Sequence, residues 1–177
     1  MYYSHKERRK VFISFFHADD QCYKNYIDKY LSKNIINKSV MDGEYDSENS
    51  DEYIKRLIRE DKISDSSVVV VLVGPNTRKR KHVDWEIYAG LSMSNGNSGL
   101  VGIMLPEVHQ SNDGKYYSAD MPGRLADNIE SGYADLYTWE YAVSNFDSII
   151  ESAFQNRISR RNLINNSRLQ MQKNLEV

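Results

Sequence analysis

The chain has one cysteine, Cys22, among 177 residues. A single thiol excludes an internal disulfide and any cysteine cage for zinc, and it fits a reducing compartment. A strong charge of one sign is also missing. The 23 basic and 25 acidic residues leave a formal net charge of -2, so no global basic excess marks nucleic acid as a partner. Long apolar runs are absent too. VFISFF, residues 11 to 16, is too short for the core of a secretory signal, and VVVVLV, residues 68 to 73, is far too short to span a bilayer. The expectation is a cytoplasmic, unanchored protein.

The chemical motifs that are absent narrow the function further. FHADD, after the first apolar run, has no glycine, so neither a nucleotide P-loop nor a dinucleotide fingerprint follows the first strand. There is no GxSxG elbow. His5, His17, His82 and His109 show no HExxH spacing. His82 and Glu86 stand one helical turn apart, a spacing that ordinary helix pairing explains more often than a metal.

What is present is a globular composition, 40% hydrophobic and 27% charged, in a length suited to one domain. VFISFF reads as a first strand, and Asp19 or Asp20 as the cap of a helix. In QCYKNYIDKYLSK the residues Tyr23, Tyr26, Ile27, Tyr30 and Leu31 recur at helical spacing. A weaker strand is expected at 37 to 41, then an acidic turn-rich loop, DGEYDSENS. Ser50 opens a second helix with Tyr53, Ile54, Leu57 and Ile58 on one side. VVVVLV is unbroken in its apolarity, as in a strand buried on both faces, and Gly74 and Pro75 stop it. HVDWEIYAGLSMS, residues 82 to 94, reads as a third helix with Val83, Ile87 and Leu91 as its core stripe. LVGIML, 100 to 105, is another buried strand. A long polar loop is expected from 106 to 132, a last strand at 135 to 139 and a last helix at 141 to 154. Residues 1–156 form the expected domain, and 157–177 a helical extension or tail.

Strand and helix alternate about five times, which argues for an α/β fold: a flavodoxin-like open parallel sheet of about five strands, with helices on both faces. Ligands of such sheets sit at the carboxyl ends of the strands. FHADD, MDGEYD and GPNTRKRKHVDWE therefore carry the most weight.

The order of VFISFF, the acidic loop, SDSSVVVVLVGPNT and HVDWEI resembles the TIR domain family over roughly residues 10 to 155. The closer resemblance is to its bacterial TIR-like branch, found in Thoeris anti-phage systems. The resemblance implies cleavage of the bond between nicotinamide and ribose in NAD, with NAD as substrate and no further cofactor. It places the key glutamate of a Trp-x-x-x-Glu pattern on Glu86. The aromatic position falls on His82, a departure from tryptophan, and Trp85 stands one position before the acid. Phe16 and His17, after the first strand, are implied to face the nicotinamide riboside. Asp42 and Tyr45, in the acidic loop, are implied to help form the site or a self-association surface.

Each of these residues has a plainer account. Glu86 near a helix start suits the helix dipole. Phe16 suits a core, and His17, Asp42 and Tyr45 a solvated loop. The RKRK run, residues 78 to 81, either lies solvated in a loop or meets the pyrophosphate of NAD or a partner's acids. Trp85 and Trp139 suit packing.

The resemblance further implies a cyclic ADP-ribose-type signal that reaches a separate effector protein, and a possible homo-oligomer. Water as the nucleophile would give ADP-ribose instead. The loop 106 to 132, with Gly114, Gly123 and Gly132, could serve as a lid that favours cyclisation, or be a plain insertion. Two other functions compete. One is a non-catalytic TIR-like interaction module. The other is a receiver-like phosphoacceptor domain, against which stands the third strand's ending, VLVGPN, with no aspartate.

Overall fold

Six consecutive β-branched or leucine side chains, Val68–Val73, form β3, and every one is buried. A strand can bury alternate residues on opposite faces only if both faces are covered. The computed structural model, which describes residues 7–38, 50–92 and 97–176, shows that cover. The strands are β1 (Arg9–Ser14), β2 (Ile35–Asn37), β3, β4 (Gly99–Met104) and β5 (Asp135–Thr138). They pair in parallel in the order β2-β1-β3-β4-β5. This is the expected flavodoxin-like arrangement.

The helices are α1 (His17–Tyr26), α2 (Asp51–Leu57), α3 (Lys81–Leu91), α4 (Gly123–Glu130) and α5 (Trp139–Ser159). Wider π-type turns extend α1 over Ile27–Leu31 and α2 over Ile58–Ile63. Phe12, Val69, Val71 and Val73 face a layer that includes Ile54, Val83, Ile87 and Leu125. Val11, Ile13, Val70 and Leu72 face Ile27, Phe146, Ile149 and Ile150. Each such side chain contributes roughly 1.5–3 kcal/mol on full burial. Gly99 is fixed by a close approach: a Cβ there would stand 2.0 Å from the Ala153 carbonyl oxygen of α5.

Several boundaries differ from the sequence-based expectations. β1 ends at Ser14, so Phe15 and Phe16 lie beyond it. Neither Asp19 nor Asp20 caps α1; the N-cap is Phe16, without a side-chain bond, and both acids lie in the first turn. In the tyrosine stripe Ile27 is fully buried, whereas Tyr26 and Tyr30 are 39% and 58% exposed. Tyrosine can hold its ring against a rim and its hydroxyl in water. β2 lies at Ile35–Asn37, ahead of the expected 37 to 41, because the apolar pair Ile35–Ile36 is what registers with β1. The expected loop 106 to 132 contains α4, whose Leu125 is fully buried. The helix is only eight residues long and lies in a polar stretch, which hid it. Ser50 does cap α2, its hydroxyl accepting from the Tyr53 amide at 3.3 Å.

After α5 the chain makes one tight turn, Arg161–Leu163, and then runs without regular structure back across α3 and α4. Among the described residues no helix is long and apolar enough to cross a membrane.

The chain leaves β1 to one side for β2 and returns to the other side for β3. The order reverses there, and the crevice outside the carboxyl ends of β1 and β3 is where such sheets bind ligands.

Candidate active site

Eight of the eleven α3 residues are buried, Asp84 and Glu86 among them. The helix is held from both sides. Val83 and Ile87 pack in the core layer beneath it. At Gly90 a Cβ would stand 2.8 Å from Val69, so α3 lies close to β3. On the outer side, the Trp85 indole nitrogen donates to the Met171 carbonyl at 2.9 Å.

Glu86 is only 4% exposed. It faces the end of β1, where the Ser14 hydroxyl donates to its Oε2 at 2.5 Å. Ser14 shares the sheet face of Phe12, which the β1 alternation aims at the α3 layer. A buried carboxyl group needs such a donor, since burial without hydrogen bonds is costly. Ser14 was not among the residues singled out from sequence. The signal was available: it is the one polar residue inside VFISFF.

A second contact ties the same two segments. The Arg80 guanidinium lies over the Phe16 ring, 3.8 Å from its centroid. His17 packs on Phe15 with ring centroids 4.1 Å apart. His82 lies 5.2 Å from the Trp85 ring. Its pKa is lowered, first by burial and then by the Lys81 cation, with Asp51 opposing and His17 adding to the effect. The two histidines therefore share an electrostatic neighbourhood, and His82 is favoured in its neutral form. Phe16, His17, His82 and Glu86 thus gather where β1 meets α3. Asp42 and Tyr45 lie outside the described residues.

The RKRK run divides. The Lys81 ammonium donates to Asp51 at 2.7 Å and lies 4.9 Å from the Trp85 ring. The Lys79 carbonyl accepts from the Leu175 amide at 3.0 Å. Arg78 lines a separate hollow with Asp84, Asp127 and Arg168. Of the four, Arg80 is the one stacked on a residue of the β1 exit. Trp139 packs edge-on against Tyr23, with centroids 4.7 Å apart.

Two further polar arrangements frame the site. Asp20 is buried at the start of α1, and its Oδ2 accepts from the Thr77 hydroxyl at 2.9 Å. Thr77 in turn accepts from the Gly74 amide at 2.9 Å. Burial pushes the Asp20 carboxyl up to about 6, against the hydrogen bonds from Thr77 and the Phe16 backbone. This lock joins the segments that leave β1 and β3. Gly74 is required there, since a Cβ would stand 2.3 Å from the Asp20 carboxylate.

Behind the site, Arg124 and Asp84 form a buried two-pronged ion pair, at 3.0 and 3.4 Å. Arg124 also donates to the Asn166 side chain at 2.8 Å, and Asp84 accepts from the Met171 amide at 2.9 Å. The returning C-terminal segment is thereby bound to the two residues that precede Glu86. Sequence did not reveal this, because the partners are 40 and 87 residues apart.

Among the described residues no group of three or more His, Cys, Asp or Glu is placed to hold a metal. The site's chemical means are a buried carboxyl group, neutral imidazole, an aromatic ring and a guanidinium.

Comparison with known proteins adds to this geometry. The family model for the Thoeris protein ThsB, TIR-like domain, matches residues 12–111. No curated protein matches the chain. Among solved structures, the chain is similar to the TIR domains in the structure of the activated Roq1 resistosome directly recognizing the pathogen effector XopQ. The identity is 14%, with a TM-score of 0.40 over 88% of this chain and 83% of that one.

Proposed function

The chain belongs to the family of the Thoeris protein ThsB, TIR-like domain, and on that premise we propose that it cleaves NAD, releasing nicotinamide and forming a cyclic ADP-ribose-type product. The observation that supports this most is the buried seat of Glu86, with Ser14 holding its carboxyl group at the carboxyl edge of the sheet.

One carboxylate suffices for this reaction. Ordinary glycosides need a second carboxyl group to protonate the leaving oxygen. The nicotinamide of NAD is already a cationic pyridinium and departs neutral. Positive charge then develops on the ribose, and an ionised Glu86 beside it stabilises that charge. In this reading Phe16 and His17 line the nicotinamide riboside, and neutral His82 borders a cationic ring without repelling it. The family resemblance assigns Asp42 and Tyr45 to the site or to a self-association surface. NAD is the substrate, and no other cofactor takes part.

After nicotinamide leaves, exclusion of water favours attack from within the same molecule. The soluble product then carries the signal through the cytoplasm to a separate effector protein in anti-phage defence, and the enzyme acts as a homo-oligomer where assembly completes the site. The experiment is incubation of the full chain with NAD, with and without phage-infected lysate, followed by mass spectrometry of the products. Nicotinamide with an isomer of cyclic ADP-ribose supports the proposal. Linear ADP-ribose alone would overturn the cyclisation, and no nicotinamide under either condition would leave a non-catalytic interaction module.

A further inference from the structure

Arg80 is the last cation before α3. Lys81 is paired with Asp51. Among the described acids, Asp19 accepts from Asn76 at 2.8 Å, Asp20 from Thr77, and Glu107 from the Tyr23 hydroxyl at 2.5 Å. Arg80 makes no ion pair among the described residues. Its Nε is buried and finds no hydrogen-bond acceptor there. A buried donor left unsatisfied is costly and calls for an explanation.

The stacking supplies one. The Phe16 ring, 3.8 Å from the guanidinium carbon, restricts the rotation of Arg80. The planar fork of an arginine matches the paired oxygens of a phosphate. Arg80 is also the N-cap residue of α3, where the helix dipole adds positive potential. Phe16 lies two residues beyond Ser14, on the order of 6–7 Å along an extended chain. Arg80 therefore stacks on the segment that continues from Ser14, the residue that holds Glu86.

We infer that Arg80, planted on Phe16, grips the diphosphate of the dinucleotide substrate. It makes the site prefer dinucleotides over nicotinamide nucleosides. This rests on the NAD-cleaving reading, whose reacting bond lies at Glu86.

The test uses the full chain carrying Glu86→Gln, which leaves bound substrate intact. NAD binding is measured by titration calorimetry, and nicotinamide riboside binding by ligand-observed NMR. Adding Arg80→Ala or Arg80→Gln should weaken NAD about tenfold to a hundredfold, the range of a charge-assisted hydrogen bond. It should also flatten the salt dependence and leave nicotinamide riboside within twofold. Arg80→Lys should fall between, keeping charge but losing the planar fork. Unchanged melting temperatures and an unchanged riboside signal separate loss of the phosphate contact from loss of the fold. NAD binding within threefold of the parent in both neutral variants would overturn the inference while sparing the NAD reading. Equal weakening of both ligands would overturn it as well, as a general collapse of the cleft. If the parent does not bind NAD and the unmutated chain releases no nicotinamide, the NAD reading itself fails and the inference falls with it.

Discussion

Ser14, the last residue of β1, donates its hydroxyl to Glu86 of α3 at 2.5 Å, across 72 residues of chain. The contact helps to fix the carboxyl group. Ser14→Ala removes one donor to a buried acid, at a cost of about 1–3 kcal/mol. Nicotinamide release should fall by an order of magnitude or more, with little change in KM, because in the proposed reaction the group that meets developing charge is misplaced. Ser14→Thr, which restores a hydroxyl, should recover part of the rate. Steady-state kinetics beside thermal melting checks this. A lost melting temperature with unchanged kcat would assign Ser14 to folding alone.

Arg124 and Asp84 carry the outer support of α3. Removing one partner leaves an uncompensated buried charge, so Arg124→Met should destabilise the chain by about 3–5 kcal/mol. The double change Arg124→Met with Asp84→Leu should recover much of that loss, although the Met171 amide and Asn166 side chain lose their partners. Urea unfolding of the single and double variants measures the coupling.

The sheet was the most legible part of the sequence. Val68–Val73 declares itself, because a run of apolar residues that long and that β-branched has no other place than between two covered faces. Glu86 was legible only through the resemblance, since an acid in the first turns of a helix looks ordinary on its own. Ser14 had a local signal in its polarity. The Asp84–Arg124 pair and the returning segment had none, because hydrophobic periodicity does not report contacts made between distant polar side chains. α4 was hidden for another reason: Leu125 and Ile129 share one face, but eight residues are too short a stretch for that spacing to stand out within a polar segment.

Asp20 makes stability depend on pH. Its carboxyl group, near 3.8 in the free state, is pushed up to about 6 in the fold. The folded state thus binds the proton more tightly than the unfolded state. This contribution is fully present below about pH 4 and is lost as pH rises through about 6. The difference between Asp20→Asn and the parent should therefore shift in favour of the variant by about 1–3 kcal/mol between pH 4 and pH 7.5. Urea unfolding at the two pH values reads it. A difference that does not change with pH, or that moves the other way, would show that Asp20 is not held protonated.

In the proposed reaction the carboxyl group of Glu86 acts on the nicotinamide–ribose bond of NAD. The most direct measurement is nicotinamide release by the purified full chain and by Glu86→Gln, under the condition that activates the parent, with melting temperatures taken alongside. The expected result is release by the parent and a loss of at least a hundredfold in the variant, at a melting temperature within a few degrees. Turnover by Glu86→Gln at the parent's rate would contradict it.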